Sequence, residues 1–160
     1  MVRKWFDVTN LTCSQLCDMK YLQTILFILI FQIAAPAQFV VKVIDGDTYK
    51  ILLGGEVQHV RLKNVDAPEL KQFFGGTAKN AVRALIEGHS VAVKVTGIDL
   101  YGRLIATIQI NGMSLDSLII SRGLAWIYKD YCKDKRLLSC EALAKTKAAG
   151  LWKCSRNIPP

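Results

Sequence analysis

"FVVKVIDGDTYKILLGGEVQHVRLKNV", residues 39–65, alternates apolar and polar side chains in three runs and breaks twice, at Asp45-Gly46 and at Gly54-Gly55. Period-two alternation marks a strand that buries one face, and Asp-Gly and Gly-Gly pairs supply the backbone freedom of tight turns. The stretch therefore predicts a three-stranded meander, "FVVKVID", "TYKILL" and "VQHVRLKNV". With the second turn at Gly54-Gly55, residues facing each other across the second and third strands have numbers summing to about 109. Asp47 then lies opposite residue 62, and Asp66 a few residues past the strand end.

Downstream, "GGTAKNAVRALIEG" carries helical spacing through Ala78, Val82, Leu85 and Ile86 and stops at Gly88. "SVAVKVTG" and "RLIATIQI" alternate again, with "IDLYG" between them. "MSLDSLIISRG" reads as a short helix ending at Gly123, and "CEALAKTKAAG" as another ending at Gly150. The order β-β-β-α-β-β-α-α predicts a mainly β, α+β domain: a five-stranded antiparallel OB-type barrel with three helices. Such small closed sheets commonly bind oligonucleotides or oligosaccharides. Fold alone does not give function, so the chemistry must come from side chains.

Residues 1–37 have a different character. "LQTILFILIFQIAAPAQ", from Leu22, follows Lys20 with an apolar core at Ile25 to Phe31 and the small triplet Ala35, Pro36, Ala37. A basic start, a short apolar core and an A-x-A site are the marks of a secretory signal peptide, set against the alternative of a buried core helix. A membrane span needs about 20 apolar residues, and Gln23, Thr24 and Gln32 interrupt this run. The expectation is a leader over residues 1–37, with Met19 as the true initiator, cleavage near Ala37, and a mature domain over 38–160 in the periplasm or outside the cell. Membrane attachment is expected only if the leader is retained.

The length of 160 residues, 51% of them hydrophobic, suits one domain. The full chain carries 21 basic against 13 acidic residues, and residues 38–160 carry 18 against 11. This excess favours a polyanionic partner, nucleic acid or an anionic envelope, over a merely solubilising surface. Of five cysteines, Cys132, Cys140 and Cys154 remain after residue 37. A Cys132–Cys140 clip across "KDKRLLS" is the preferred pairing, because the segment after Cys140 reads as a helix that would carry Cys154 away, while a zinc site lacks a histidine or fourth cysteine nearby.

Carboxylates gather at strand ends and loops: Asp45, Asp47, Asp66, Glu69 and Asp99. "DAPE", residues 66–69, follows the third strand, so the two acidic clusters close two ends of one meander. Converging carboxylates repel unless a cation sits between them, and hard oxygens suit calcium or magnesium. An EF-hand is excluded, since its ladder of aspartates and distal glutamate is absent. Arg61 and Arg103 add planar donor forks that match phosphate oxygens. Singly, each piece has a plainer reading: "DGD" as a turn, Arg61 as a surface strand residue, "DAPE" as a capped loop. Trp126 and Trp152 read as core anchors, His59 as outward-facing and His89 as a loop residue.

Four motifs in order, "VIDGDTYKI", "VRLKNVDAPE", "DLYGRLIA" and "GLAWIY", resemble the staphylococcal nuclease-like (thermonuclease) family over residues 40–152. The resemblance implies an OB-fold, calcium-dependent phosphodiesterase that cleaves DNA and RNA and leaves 3′-phosphate ends. Matched motif by motif, Asp47 and Asp66 are the carboxylate calcium ligands and the Ala67 carbonyl a third. Glu69 is the residue that activates water, Arg61 and Arg103 grip the scissile phosphate, and Tyr101 lies near a terminal phosphate. Either Tyr128 or Tyr131 packs against the substrate base, a sequence-tolerant contact. The family's best-known member has threonine where Ala67 stands, which a backbone ligand tolerates, and a longer loop than "LKQFFGG". No obligate protein partner is implied, and a monomer is expected. Two other classes compete: a non-catalytic nucleic-acid-binding module of the same fold, which would be expected to lack the carboxylate and arginine set, and an envelope-associated structural domain.

Overall fold

Strands β1 (Phe39–Val43), β2 (Thr48–Leu53) and β3 (Glu56–Leu62) form the meander that the alternation predicts. The computed structural model describes residues 38–128 and 132–153, all within the unit Pro36–Pro160, the chain's other unit being Met1–Ala35. The expected leader, Met19, Tyr131, Cys13, Cys17 and Cys154 fall outside the described residues. Thr48 pairs with Arg61, Tyr49 with Val60 and Leu53 with Glu56, and Leu62 N–H donates to the Asp47 carbonyl at 2.8 Å. This is the register set by the Gly54-Gly55 turn, where both residues have positive φ, 60° and 93°, as a tight hairpin requires. One face of the meander is core, with Val40, Val43, Tyr49, Ile51, Val60 and Leu62 buried.

The third strand is shorter than predicted. It ends at Leu62, Asn64 turns the chain with φ 71°, and a separate two-residue β4 (Val65–Asp66) pairs with β8 (Trp126–Ile127). Asparagine tolerates this left-handed backbone, and the turn is held because Asn64 donates to Asp116 Oδ2 at 3.2 Å and accepts from Tyr128 N–H at 2.9 Å. Asp66 is thereby redirected off the end of β3 and fixed by a second small sheet.

Helix α1 (Gly75–Ile86) buries Ala78, Val82 and Ile86, the spacing read from the sequence. It leads to β5 (Ala92–Ile98) and β6 (Leu104–Ile110), the latter also pairing with the short β7 (Met113–Ser114). The sheet order is β1-β2-β3-β6-β5. A bridge between Phe39 and Ser90 and a 2.8 Å bond from Val91 N–H to the Gln38 carbonyl bring the start of β5 back to β1. The barrel is the expected OB type, with one correction: β3 and β6 run parallel, Val60 beside Leu104 and Leu62 beside Ala106. A closed ring with an odd number of strands cannot alternate direction all the way round, so one neighbouring pair must be parallel.

Helix α2 (Leu115–Ser121) and helix α3 (Lys135–Thr146) follow, then a 3₁₀ turn, Gly150–Lys153. Helix α3 starts at Lys135 and not at Cys140. Asp134 caps it by accepting from Arg136 N–H at 2.9 Å, and Leu137 is drawn into the core. Most of "KDKRLLS" is therefore helix, and Cys132 and Cys140 are free thiols, so the expected disulfide is not made. Among the described residues, no helix is long and apolar enough to cross a membrane.

Candidate active site

The turn between β1 and β2 is built by Asp45, whose Oδ1 accepts from Asp47 N–H at 3.1 Å and Thr48 N–H at 2.7 Å. Tyr49, fully buried, donates its hydroxyl to the Gly46 carbonyl at 2.8 Å. Gly46 has a steric reason: a Cβ there would lie 2.5 Å from the Ala67 Cβ. Only a residue without a side chain lets this turn press against "DAPE". Asp47 is consequently turned inward and 3% exposed. Its Oδ2 accepts from Ala67 N–H at 3.0 Å, and its Oδ1 accepts from the Thr48 hydroxyl at 3.0 Å.

Arg61 sits opposite Thr48, which aims its guanidinium at both acidic segments. Nη1 lies 3.1 Å from Asp47 Oδ1, and Nη2 lies 3.0 Å from Asp66 Oδ1. One fork thus spans the two carboxylates that the sequence expected to converge. Burial pushes the Asp47 carboxyl up to about 6; Arg61, the Ala67 N–H and Thr48 pull the other way, while Asp45 adds to the rise. For Arg61, burial alone would lower the pKa, but the Asp47 and Asp66 carboxylates outweigh it and raise it.

Arg103 immediately precedes β6 and is anchored by Asp99. Asp99 Oδ1 accepts from Tyr101 N–H and Arg103 N–H, both at 2.9 Å, and Oδ2 accepts from Arg103 Nε at 2.7 Å. Burial works against the charge on Asp99, yet these donors hold its carboxyl below the usual range. Arg103 Nη1 reaches the Thr48 hydroxyl at 3.4 Å. A continuous chain of polar contacts therefore runs Asp66, Arg61, Asp47, Thr48, Arg103, Asp99. The ring of Tyr101, 84% exposed, lies 5.4 Å from the Arg103 guanidinium carbon.

Glu69 follows Ala67 and Pro68 at the rim. Its carboxylate is exposed and has no hydrogen-bond or ionic partner among the described residues, while its backbone is fixed. Glu69 N–H donates to Gln72 Oε1 at 2.9 Å, its carbonyl accepts from Gln72 N–H at 2.8 Å, and a Cβ on Gly75 would come within 2.0 Å of that carbonyl oxygen. Tyr128 is partly exposed and tied through its N–H to the turn that redirects Asp66.

The family model described as "Staphylococcal nuclease homologue" matches residues 59–154. The chain belongs to the staphylococcal nuclease family. It is similar to an "Uncharacterized endonuclease" of Escherichia coli O157:H7, 31% identical over 144 residues that cover 88% of this chain and 94% of the relative. An "Uncharacterized endonuclease" of Haemophilus influenzae is 34% identical over 122 residues, 76% of this chain and 68% of the relative. A "Micrococcal nuclease" of Shigella flexneri is 31% identical over 139 residues, 78% of this chain and 80% of the relative.

This member of the staphylococcal nuclease family brings together Asp47, Arg61, Asp66, Ala67 and, through Thr48, Arg103. Thr48 was not anticipated, and Asp99 was noted only as a loop carboxylate. The "D-x-x-G-R" spacing carried the signal for Asp99, since an aspartate before a turn can bond the backbone two residues on. Among the described residues, no group of three His, Cys, Asp or Glu side chains could hold a metal ion. Asp47 and Asp66 nonetheless offer hard oxygen donors that converge on the one Arg61 fork, and burial holds Asp47 less readily ionised despite that charge. That donor chemistry fits calcium completed by carbonyl and water oxygens.

Proposed function

We propose that the protein is an exported, calcium-dependent endonuclease that hydrolyses phosphodiester bonds of DNA and RNA and leaves 3′-phosphate ends. One observation carries this reading: two carboxylates and two arginines linked through Thr48, with Arg61 bonded to both carboxylates at 3.0 and 3.1 Å. The relatives named as nucleases support it. Asp47, Asp66 and the Ala67 carbonyl would hold the ion, which supplies charge neutralisation at the phosphate.

The chain's own groups do the remaining work. A guanidinium carries five N–H donors, and Arg61 commits one each to Asp47 and Asp66, leaving others for a phosphate oxygen. Arg103 is pinned through Nε and keeps the far edge of its fork for the same anion. Glu69 takes a proton from water, the water oxygen bonds to phosphorus opposite the 5′-oxygen, and the P–O5′ bond breaks. The 5′-oxygen leaves with a proton from solvent, and the phosphate stays on the 3′ side. The Lys20-led apolar segment ending in Ala35-Pro36-Ala37 supports export.

The test is cleavage of single-stranded DNA and of RNA in calcium, in magnesium and in chelator, by the protein and its Glu69→Gln variant. Calcium-dependent cleavage yielding 3′-phosphates, reduced roughly 100-fold or more in the variant, is the expected outcome. Full activity of Glu69→Gln would remove Glu69 as the base, and cleavage in chelator would remove the metal.

A further inference from the structure

The strand registers place an ordered set of side chains on the barrel's outer wall, continuous with the site. Thr48 and Arg61 face each other at the catalytic end. Two residues along each strand, Lys50 faces His59 and Lys42 faces Lys50, giving three nitrogen-bearing side chains in one row across β1, β2 and β3. Two residues further, Leu52 faces Val57 and Phe39 faces Leu52. A register shift between Val40 and Lys42 lets β1 keep both Val40 and Val43 buried while Lys42 stays outside.

None of these rows belongs to the core. Lys42 and His59 are exposed and Lys50 half-buried, and none has a carboxylate partner among the described residues. Phe39 and Val57 are 38% and 51% exposed. Two carboxylates border these strands: Glu56 bonds Gln58 at 3.2 Å at the far end of β3, and Glu87 accepts from Val43 N–H at 2.8 Å. Successive rows lie two strand residues apart, ~6.7 Å, comparable with the separation of phosphates along a stretched single strand. Beyond Arg61, one cationic row followed by one apolar row offers a position for one phosphate and then one for a base.

We infer that the outer wall of β1–β3 is a secondary subsite for single-stranded nucleic acid, with Lys42, Lys50 and His59 holding the phosphate next to the scissile one and Phe39, Leu52 and Val57 receiving the adjoining base. The inference rests on the nuclease reading and extends it from a phosphodiester to a polymer: substrates long enough to reach the wall bind more tightly, and dinucleotides do not use it.

The experiment uses a Lys42→Gln/Lys50→Gln double variant and a Lys42→Arg/Lys50→Arg control. Binding of a fluorescein-labelled oligothymidylate 12-mer is followed by anisotropy in chelator across a salt series. Loss of the contact to that one phosphate should lower the slope of log K against log salt by about 0.7 and weaken binding about fourfold in moderate salt, with the arginine control unchanged. In calcium, KM for the 12-mer should rise with kcat constant, and kcat/KM for a thymidine dinucleotide should not move. An unaltered salt slope, equal loss on the dinucleotide, or loss in the arginine control would overturn the subsite. Absence of cleavage by the unmodified protein would instead refute the nuclease reading, and the binding comparison would still decide the wall.

Discussion

Asp47 gives a pH dependence that can be worked from the structure. Its folded pKa is about 6 against an ordinary value of 3.8. A raised carboxyl means that the folded state holds its proton more tightly than the unfolded chain does. Stability is therefore greatest below the unfolded value, falls as pH rises from about 4 to about 6, and is flat beyond, as far as this group is concerned. Roughly two pH units at ~1.4 kcal/mol each gives a penalty of about 3 kcal/mol at neutral pH. In a domain of this size that amounts to on the order of 10 °C in Tm.

The assay is urea denaturation of the protein and of Asp47→Asn in chelator at steps from pH 4 to pH 7. Subtracting the variant removes carboxyls that move the opposite way, such as Asp99, whose pKa is lowered. The difference curve should slope downward by about 3 kcal/mol between pH 4 and pH 6. Calcium should restore much of the loss at pH 7, because a ligand that binds only the folded, ionised site stabilises it by mass action. A flat or rising difference curve would refute the account of Asp47 as a buried, under-compensated carboxylate.

Three further outcomes follow from other contacts. Gly75→Ala must relieve a 2.0 Å approach to the Glu69 carbonyl; thermal melts should show a loss of about 1–3 kcal/mol, and turnover should fall about 100-fold as Glu69 is displaced. Asp99→Asn keeps an acceptor for the loop N–H groups but weakens the hold on Arg103 Nε; kcat should drop at least tenfold with Tm nearly constant, and a parallel loss of Tm would mark Asp99 as structural. Glu141 is buried, accepts from Ile127 N–H at 3.1 Å and pairs with Lys145 at 2.6 Å, so Glu141→Ala should cost about 2 kcal/mol in chemical denaturation; an unchanged midpoint would show that β8 does not depend on it.

The meander was readable because its signals are local: alternation marks each strand, and the glycine pair at Gly54-Gly55 fixes the Thr48–Arg61 register. The parallel β3–β6 ladder was not, because it follows from ring closure, a property of all five strands together. The break at Asn64 hid inside a run of strand-like residues, and its cause lies 52 positions away at Asp116. The start of α3 was missed because "RLLS" was read as a loop between two cysteines, whereas Asp134 caps a helix there. The expected leader and Tyr131 lie outside the described residues.

At the site, Asp47, Arg61 and Asp66 were within reach of sequence reasoning because one hairpin register and one strand end bring them together. Thr48 and Arg103, 55 positions apart, meet because β6 pairs in parallel with β3, beside β2. The charge count at this junction explains why the fold maintains a costly buried carboxylate. Arg103 is matched by Asp99, while Asp47 and Asp66 share the single charge of Arg61 and Asp45 adds its own negative charge beside Asp47, leaving a net negative junction within a chain of net charge +8. A site neutralised in advance would have no pull on a cation. If the proposed function holds, this deficit is the attraction a divalent ion would meet, and the ion would offset it for an anionic phosphodiester. On that reading, the same deficit that costs the folded protein stability at neutral pH would favour metal binding ahead of substrate.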